Sequence, residues 1–529
     1  MREDPVNNPV LVHEYLSLSS RKYPDKEALI CGQERWTYLE LERVSSGLAH
    51  NLREMGFERY DRGVIFLDNS SEAVISLYSI LKAGGTFVIL NGMLKAKKLA
   101  FVLRDCGAKI LIAHVDKAEV VLNALDQLEE CPKIIWVGDP SQIERRKLTF
   151  QPGCWKEMVQ ASAPRSIYLA DGAGTIDLDL AALIYTSGST GEPKGVMSSH
   201  FNVISAARSI IQYLENNGDD KILSVMPLSF DYGLYQVLMA FMFGGTVVLE
   251  NSFAYPNKII ECIPREQITG FPIVPTIAAL LLRMQNLTKY DLSSLRYLTN
   301  TAAVLPVEHI RKLQEIFHPA KIYSMYGLTE CKRVSYLPPE ELEFRAESVG
   351  KPIPNCQVFI SDENGNEVGP GGIGELIVRG ANVMRGYWNA PELTAKTFRQ
   401  GRYPGETLLY SGDLFRKDEE GFLYFVARKD EQIKTKGERV SPREIENSLC
   451  ELQGIVEAAV IGVPDEILGQ AVKCFVVCLP GSKMGAKEIM RHCAGNLEPF
   501  MVPKYVEIIS EMPRTAHGKI DKNALKGMP

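Results

Sequence analysis

A stretch rich in glycine and hydroxyl side chains, residues 186–195, holds the residue types that most clearly suggest chemistry. It contains three glycines, four hydroxyl side chains and Lys194, and it follows the apolar run 180–185, which has the length of a strand. Glycines let a backbone approach a ligand, and exposed N–H groups, hydroxyls and an ammonium suit phosphate oxygens. It is not a Walker A loop, because no Ser or Thr follows a Gly-Lys pair. The stretch predicts a phosphate-binding loop; the alternative, a flexible surface loop, is disfavoured because Pro193 stiffens the chain.

Three later segments group aromatic rings, carboxylates and cations closely enough to act together. Residues 325–330 read Met-Tyr-Gly-Leu-Thr-Glu, residues 410–413 read Tyr-Ser-Gly-Asp, and residues 513–520 read Pro-Arg-Thr-Ala-His-Gly-Lys-Ile. A flat ring such as that of Tyr326 can stack on a base, and a carboxylate such as Glu330 can hold Mg²⁺ against phosphate oxygens. Together with the glycine-rich loop, these segments predict a nucleotide site.

In this order, the four segments resemble the motifs of the acyl-adenylate-forming enzymes. That superfamily includes acyl-CoA synthetases, the adenylation enzymes of nonribosomal peptide synthesis and firefly luciferase. The resemblance extends over about residues 20–525 and implies a stand-alone enzyme with an α/β fold. It implies a large N-terminal domain (residues 1–428) of two similar α/β subdomains plus a small β-barrel-like subdomain. A small mobile α+β C-terminal domain (residues 429–529) is expected to follow.

The resemblance also implies a role for each motif residue. Tyr326 would stack on adenine, Thr329 would reach the α-phosphate, and Asp413 would bind both ribose hydroxyls. Glu330 would hold Mg²⁺, and Lys519 would be the catalytic lysine that bridges the substrate carboxylate and the α-phosphate, where charge develops. Thr186 and Lys194 are expected to take part in catalysis with Lys519 and Glu330. The other residues expected to bind the nucleotide are Thr186, Ser187, Gly188, Ser189, Thr190, Gly191, Lys194, Thr301, Ala302, Gly327 and Arg428.

The implied reaction has two halves. A carboxylate attacks the α-phosphate of ATP and displaces pyrophosphate, and a thiol then attacks the acyl-AMP. The thiol would belong to CoA or to the phosphopantetheine of a carrier protein supplied in trans. Between the halves the C-terminal domain would rotate about a hinge at Asp430, and Lys434, Lys436 and Gly437 would line the path of the thiol. Two other functions remain as alternatives, a luciferase-like oxygenase and a non-catalytic nucleotide-binding protein.

The identity of the acid depends on a second group of residues. We expect the acid to lie against Phe230, Asp231, Tyr235, Asn300, Met325 and Arg333. Asp231 stands where peptide-synthetase adenylation enzymes carry the aspartate that pairs with the α-ammonium of an amino acid, so an amino acid is the favoured substrate. A buried carboxylate needs a partner. The alternative is that Arg333 pairs with Asp231, which leaves a neutral fatty or aryl acid as substrate. If both charges instead face the substrate, the substrate could carry a second carboxylate. The sequence Cys331-Lys332-Arg333 departs from the family's pattern.

Strand-like and helical runs alternate around these motifs. The apolar runs 63–67 and 86–90 flank a helical pattern at 71–82, so they predict a β-α-β unit of a parallel sheet. The tripeptide Gly-Gly-Thr at 84–86 returns at 244–246, in each case between a helical run and a strand-like run. This repetition predicts two subdomains with the same local turn; chance repetition is the alternative.

The last third of the chain has a different pattern. Residues 358–379 show short alternating strands and glycine turns, which predict antiparallel pairing. The run 429–437 is strongly charged and reads as a linker, and strands are expected at 456–463 and 472–479. These elements, with helices at about 442–452 and 485–496, predict the compact C-terminal domain.

Composition excludes several other classes of protein. The chain has 529 residues, 45% of them hydrophobic, and a net charge of −6, which gives no reason to expect binding to nucleic acid or to an anionic membrane. No run of about 18 apolar residues is present, and the N-terminal residues lack the pattern of a signal peptide. Eleven scattered cysteines, with no C-x-x-C pair, favour a reducing cytoplasm.

Overall fold

The computed structural model describes residues 9–143, 153–160, 174–187, 193–284, 287–301, 305–429, 432–435, 438–465, 468–479, 481–482, 484–515 and 518–528. The helices are α1 (Val12–Lys22), α2 (Tyr38–Glu54), α3 (Ser71–Lys82), α4 (Ala96–Asp105), α5 (Ala118–Leu125), α6 (Trp155–Gln160), α7 (His200–Leu214), α8 (Asp231–Phe243), α9 (Pro256–Glu266), α10 (Pro275–Arg283), α11 (Val307–Ile316), α12 (Leu342–Arg345), α13 (Pro391–Thr397), α14 (Pro442–Glu451), α15 (Ala486–Asn496) and α16 (Lys522–Lys526). Within these described ranges, no helix is long and apolar enough to span a membrane.

The strands follow the same order along the chain. They are β1 (Glu27–Cys31), β2 (Glu34–Thr37), β3 (Arg62–Phe66), β4 (Thr86–Ile89), β5 (Ala108–His114), β6 (Lys133–Val137), β7 (Gly153–Cys154), β8 (Leu180–Ser187), β9 (Pro193–Ser199), β10 (Lys221–Ser224), β11 (Thr246–Leu249), β12 (Gly270–Ile273), β13 (Tyr297–Asn300), β14 (Lys321–Tyr326), β15 (Ser335–Leu337), β16 (Lys351–Pro352), β17 (Cys356–Ser361), β18 (Ile373–Gly380), β19 (Phe398–Gln400), β20 (Thr407–Lys417), β21 (Leu423–Arg428), β22 (Ile433–Thr435), β23 (Glu438–Val440), β24 (Ile455–Asp465), β25 (Gly469–Cys478) and β26 (Tyr505–Ile508).

Two mostly parallel sheets form the large N-terminal part. One has the strand order β7-β6-β5-β3-β4-β8-β9, and the other has the order β16-β15-β14-β13-β12-β10-β11-β1-β2. One continuous hydrophobic core joins the two sheets through α1, α2, α3 and α8. Their inner strands are buried on both faces, as expected of parallel strands covered by helices. The predicted β-α-β unit is present, because β3 pairs parallel to β4 on either side of α3.

The repeated Gly-Gly turn is built in the same way in both sheets. Gly84 and Gly244 take left-handed φ values of 89° and 79°, two residues after the end of α3 and one residue after the end of α8, and this conformation favours glycine. A Cβ on Gly85 or on Gly245 would lie 2.8 Å from a backbone oxygen of the neighbouring loop. The strands that follow, β4 and β11, pair parallel to β3 and β10 respectively. The repeated tripeptide therefore reflects the same requirement in both sheets, a left-handed glycine followed by a glycine that has no room for a side chain.

Helix α8 lies in the middle of the core and fixes one wall of the expected acid pocket. Its residues are apolar on nearly all sides and almost all are buried, as is typical of a core helix. At its first turn, a Cβ on Gly233 would come within 2.5 Å of the Pro227 oxygen, so the helix packs directly on the preceding loop. The hydroxyl of Tyr232 donates to the Thr299 oxygen at 2.9 Å and thereby ties the helix to β13. Asp231 thus begins a rigid element.

Two smaller antiparallel sheets complete the fold. One has the order β17-β18-β20-β19, with β21 paired to β20, as predicted for residues 358–379. The other has the order β23-β22-β25-β24, with β26 paired parallel to β25, and it carries its own hydrophobic clusters with α14, α15 and α16. The fold is therefore the mixed α/β architecture expected, with a large N-terminal part and a small C-terminal unit. The boundary at residues 428 and 429 stays a prediction.

Candidate active site

The predicted phosphate-binding loop connects two paired strands. Strands β8 and β9 are successive along the chain and pair antiparallel, with Thr186 opposite Lys194, so they form a hairpin. The base of the hairpin is anchored, because the Trp388 N–H donates to the Gly195 oxygen at 2.8 Å. Gly188, Ser189, Thr190, Gly191 and the side chain of Ser187 lie outside the described residues.

Glu330 is held beside this hairpin by a tyrosine that the sequence did not single out. The hydroxyl of Tyr387 donates to Glu330 Oε1 at 2.7 Å, and Lys194 Nζ lies 5.9 Å from the centre of the Tyr387 ring. Burial, and then the Glu330 charge, raise the pKa of Tyr387, so its hydroxyl stays a donor. Tyr387 forms an antiparallel bridge with Val196 of β9. The hairpin and the segment that holds Glu330 are therefore mechanically connected.

Tyr326 and Asp413, both expected at the nucleotide, are hydrogen-bonded to each other. The Tyr326 hydroxyl donates to Asp413 Oδ2 at 2.5 Å, and Arg428 Nε lies 3.3 Å from Asp413 Oδ1. Asp413 and Arg428 are register partners in the β20–β21 pair, which is why their side chains meet. Gly327 cannot carry a side chain, since a Cβ there would lie 2.2 Å from the Lys332 oxygen. Thr329 follows in the same turn, between β14 and Glu330.

Lys519 is carried by a turn that is hydrogen-bonded to the N-terminal part. The Thr276 hydroxyl donates to the Gly518 oxygen at 2.8 Å and accepts from Arg514 Nη1 at 2.6 Å. Arg514 also forms two hydrogen bonds to the Glu457 carboxylate, at 2.7 and 2.8 Å. The turn is closed by the Thr515 N–H, which donates to the Lys519 oxygen at 2.8 Å. These contacts place Lys519 at the junction of the two parts.

The charges around Lys519 belong to the other predicted site residues. Loss of water between the two parts lowers the pKa of the Lys519 ammonium, although the residue keeps an exposed side. The charge of Asp231 opposes this effect most strongly, because it raises the Lys519 pKa. The charge of Arg428 lowers the pKa further, and the charges of Asp413 and Glu330 raise it. Residues from three separate motifs therefore share one electrostatic environment with Lys519.

Asp231 has a partner that the sequence did not predict. Lys332 Nζ lies 3.4 Å from Asp231 Oδ2 and 4.3 Å from the centre of the Tyr235 ring. Burial lowers the pKa of Lys332 to about 7, opposed by the charge of Asp231. The expected alternative, a pair between Asp231 and Arg333, is corrected by this geometry. Lys332 could have been suspected, because the sequence after Glu330 departs from the family's pattern.

Arg333 is buried beside this pair and bonds to a different residue. Its Nη1 donates to Thr301 Oγ1 at 2.6 Å, and its guanidinium carbon lies 5.6 Å from the centre of the Tyr232 ring. Thr301 directly follows β13, which ends at Asn300, and Met325 is the penultimate residue of β14. The carboxyl ends of parallel strands are where α/β folds commonly bind ligands. Arg333 is thus bonded to the residue that directly follows Asn300, one of the expected acid-binding residues.

The other predicted site residues are placed less completely. Phe230 precedes α8, and its ring lies 6.2 Å from that of Tyr232, edge to face. Ala302, the hinge residue Asp430, Lys436 and Gly437 lie outside the described residues, as does the Lys434 side chain. The roles assigned to them stay predictions.

Fold and site together define a nucleotide-dependent enzyme built from a large α/β part and a small C-terminal unit. Residues 16–388 match the family described as AMP-binding enzyme, and residues 444–519 match the AMP-binding enzyme C-terminal domain. The chain belongs to this family, whose members are adenylating acid–thiol ligases. The predicted superfamily is therefore confirmed.

Three named proteins are similar over nearly the whole chain. The long-chain-fatty-acid–CoA ligase of Bacillus subtilis (strain 168) is 32% identical over 99% of this chain and 95% of its own length. The indoleacetate–CoA ligase of Aromatoleum aromaticum is 30% identical over 97% of each chain. Tyrocidine synthase 3 of Brevibacillus parabrevis is 30% identical over 97% of this chain, which spans only 8% of that protein.

Among solved structures, ATP-bound MatB from Rhodopseudomonas palustris has a TM-score of 0.85 at 27% identity. The match covers 97% of this chain and 98% of that one. The similarity thus includes the C-terminal unit as well as the large part.

Proposed function

We propose that this enzyme activates a carboxylic acid with ATP, releasing pyrophosphate and forming an acyl-AMP, and then transfers the acyl group to the thiol of CoA. The observation that carries the proposal is the turn at Gly518, which is hydrogen-bonded to the Thr276 hydroxyl of the N-terminal part. In this position, the Lys519 ammonium is close enough to Asp413 and Glu330 for their charges to raise its pKa. A cation in that position can stabilise charge on the α-phosphate and on the attacking carboxylate.

The chain's own residues suit the first half-reaction. The β8–β9 hairpin presents Thr186 and Lys194 side by side for the phosphates, and Asp413 and Tyr326 would receive the nucleoside. Glu330 fits a single Mg²⁺, because one carboxylate plus phosphate oxygens is a usual Mg²⁺ environment. Within the described part of the chain, no group of three or more His, Cys, Asp or Glu is placed to hold a metal by itself. When bound, the ion would neutralise phosphate charge beside Glu330.

For the second half-reaction, the C-terminal unit would rotate about Asp430 and withdraw Lys519, opening a path past Lys434, Lys436 and Gly437. CoA is the favoured acceptor, because the relatives that match along their whole length are named CoA ligases. A carrier-protein phosphopantetheine is the second candidate, favoured by the match to tyrocidine synthase 3.

The Asp231–Lys332 contact bears on the choice of acid. An amino acid remains a candidate because Asp231 could hold an α-ammonium, but that ammonium would have to displace Lys332 or share the carboxylate with it. Since Lys332 already supplies the partner that buried Asp231 needs, we favour an acid without an α-amino group.

The test is acid-dependent exchange of pyrophosphate into ATP across a panel of amino, fatty, aryl and dicarboxylic acids. CoA and a phosphopantetheinylated carrier protein are then compared as acceptors. We expect exchange with acids that lack an amino group, and thioester formation with CoA. Exchange confined to amino acids would refute our choice of acid, and absence of exchange with every acid would refute adenylation.

A further inference from the structure

The acid pocket contains more positive than negative charge. Lys332 and Arg333 are 3% and 2% exposed, and both lie beside Asp231 and the start of α8. Asp231 pairs with Lys332 at 3.4 Å. Among the residues that the structure describes, no carboxylate lies within ion-pair distance of Arg333. When Lys332 is protonated, this pair is balanced and the guanidinium adds one buried positive charge, which itself helps to lower the pKa of Lys332.

Arg333 is also poorly satisfied as a hydrogen-bond donor. A guanidinium has five N–H groups; within the described part of the chain, the Arg333 guanidinium donates to Thr301 Oγ1 at 2.6 Å and also interacts with the Tyr213 hydroxyl. Its Nε is buried and has no hydrogen-bond partner in the described part of the chain. Residues 302–304, which follow Thr301, are Ala, Ala and Val, so their side chains carry no negative charge. A buried cation with so few partners is costly unless a ligand supplies the missing charge.

The position of Arg333 indicates which ligand that is. Its guanidinium lies between the Tyr232 ring of α8 and Thr301, which directly follows β13, on the side of the site where the acid is expected. The reacting carboxylate is expected at Lys519, which is carried by the C-terminal unit. Arg333 would therefore meet a different part of the same substrate.

We propose that the acid carries a second anionic group, in the simplest case the distal carboxylate of a dicarboxylic acid, and that Arg333 binds it. The planar guanidinium suits a carboxylate because it can donate two parallel hydrogen bonds. With this anion bound, the added negative charge would favour protonated Lys332, and Lys332, Arg333, Asp231 and the ligand would then form a neutral cluster. The inference rests on the proposed function and narrows the acid that this function uses.

The test compares each of several linear dicarboxylic acids with its own monomethyl ester, which has the same chain but a single carboxylate. Pyrophosphate exchange is measured for the wild type, for Arg333→Met and for Arg333→Lys. We expect the wild type to prefer a diacid, and the ratio of kcat/KM for diacid over monoester to fall about 100-fold in Arg333→Met. Arg333→Lys should retain part of the preference, because it keeps the charge but loses the planar fork.

Three results would overturn the proposal. The wild type could show no preference for any diacid over its monoester. Acid-dependent exchange would then still support adenylation, but the proposal of a second anionic group on the substrate would be refuted. Arg333→Met could lose activity on diacid and monoester by the same factor, which would assign Arg333 to ATP or to the reacting carboxylate. Exchange with none of the acids would refute the proposed function itself.

A stability measurement separates binding from a structural role. Because Arg333 lacks a counter-charge in the ligand-free protein, Arg333→Met should leave the midpoint of urea unfolding unchanged or raise it. A clear decrease in that midpoint would show that the guanidinium stabilises the fold, which would contradict the proposal.

Discussion

At the scale of single residues, the main finding about the candidate site is which cation forms the ion pair with Asp231. Asp231 pairs with Lys332 and not with Arg333. The cause is local, because Lys332 takes a left-handed φ of 61°, and the chain there turns both neighbouring cations inward. Residues i and i+1 do not normally face the same pocket in a helix or strand. Neither periodicity nor motif spacing could predict this arrangement.

Tyr387 offers a direct test of the role expected for Glu330. Removing its hydroxyl in Tyr387→Phe leaves Glu330 Oε1 without the 2.7 Å hydrogen bond that orients it. Residues that orient a metal ligand typically change metal affinity about 10- to 100-fold. We expect Tyr387→Phe to raise the Mg²⁺ concentration for half-maximal pyrophosphate exchange about tenfold.

The matched control is Tyr424→Phe, which removes a hydroxyl that donates to Asp418 Oδ2 at 3.1 Å, outside the β8–β9 hairpin. Its Mg²⁺ dependence should equal that of the wild type. Identical Mg²⁺ curves for Tyr387→Phe and Tyr424→Phe would argue against Glu330 as the metal-binding carboxylate.

At the scale of elements, the sequence predicted those that have a strong local signal. The run 63–90 was predicted as strand, helix and strand, because its apolar residues change period at recognisable boundaries. The repeated Gly-Gly turn was predicted because the same tripeptide occurs twice, and the structure shows that a side chain on Gly85 or Gly245 would meet backbone atoms. The strand β9 was not predicted, since its first residue is Pro193 and its side chains are mixed. Its pairing with β8 arises from hairpin geometry that motif matching does not contain.

Thr276, at the start of α10, was also missed, because nothing in its local sequence shows that it meets Gly518. We expect Thr276→Val to slow adenylation about tenfold, since it loses two hydrogen bonds that hold the Lys519 turn. Thioester formation from supplied acyl-AMP should not change, because that step would not need Lys519 in this position. The two half-reactions are measured separately by pyrophosphate exchange and by CoA consumption.

The control for this prediction is Thr276→Ser, which keeps the hydroxyl and should keep both rates. If Thr276→Val slowed both half-reactions equally, its contact with Gly518 would have a general structural role instead.

The packing of α1 against α7 predicts a dependence of stability on pH. His200 accepts a hydrogen bond from the Val12 N–H at 3.0 Å, and burial lowers the pKa of His200 to about 4. Burial also lowers the pKa of His13, whose ring lies 5.9 Å away. Between pH 6.5 and about 4, the unfolded chain therefore binds more protons than the folded protein. The free energy of unfolding falls as pH falls through this window, by roughly 3 kcal/mol from His200.

Urea unfolding at a series of pH values measures this effect. His200→Asn should flatten the pH dependence, because the amide oxygen can still accept the Val12 N–H but does not titrate. An unchanged slope in His200→Asn would show that other groups dominate acid destabilisation.

At the scale of the whole molecule, the candidate site combines groups from the large part and from the C-terminal unit. Glu330, Asp413 and Asp231 come from the large part, and Lys519 comes from the C-terminal unit. The motifs predicted each group separately, and the order of motifs predicted the fold. The relative position of the two parts depends on contacts such as Thr276 with Gly518, which are far apart in sequence. Such contacts are specified by packing and not by any local pattern.

The most direct test of the central claim is acid-dependent pyrophosphate exchange in Lys519→Ala. Loss of a positioned charge at the reacting phosphate should lower the exchange rate about 100- to 1000-fold, while supplied acyl-AMP should still react with CoA. The control is Lys526→Ala, an exposed lysine in α16 of the same unit, which should retain wild-type exchange. Unchanged exchange in Lys519→Ala would contradict the assignment of this lysine and the account of the site built around it.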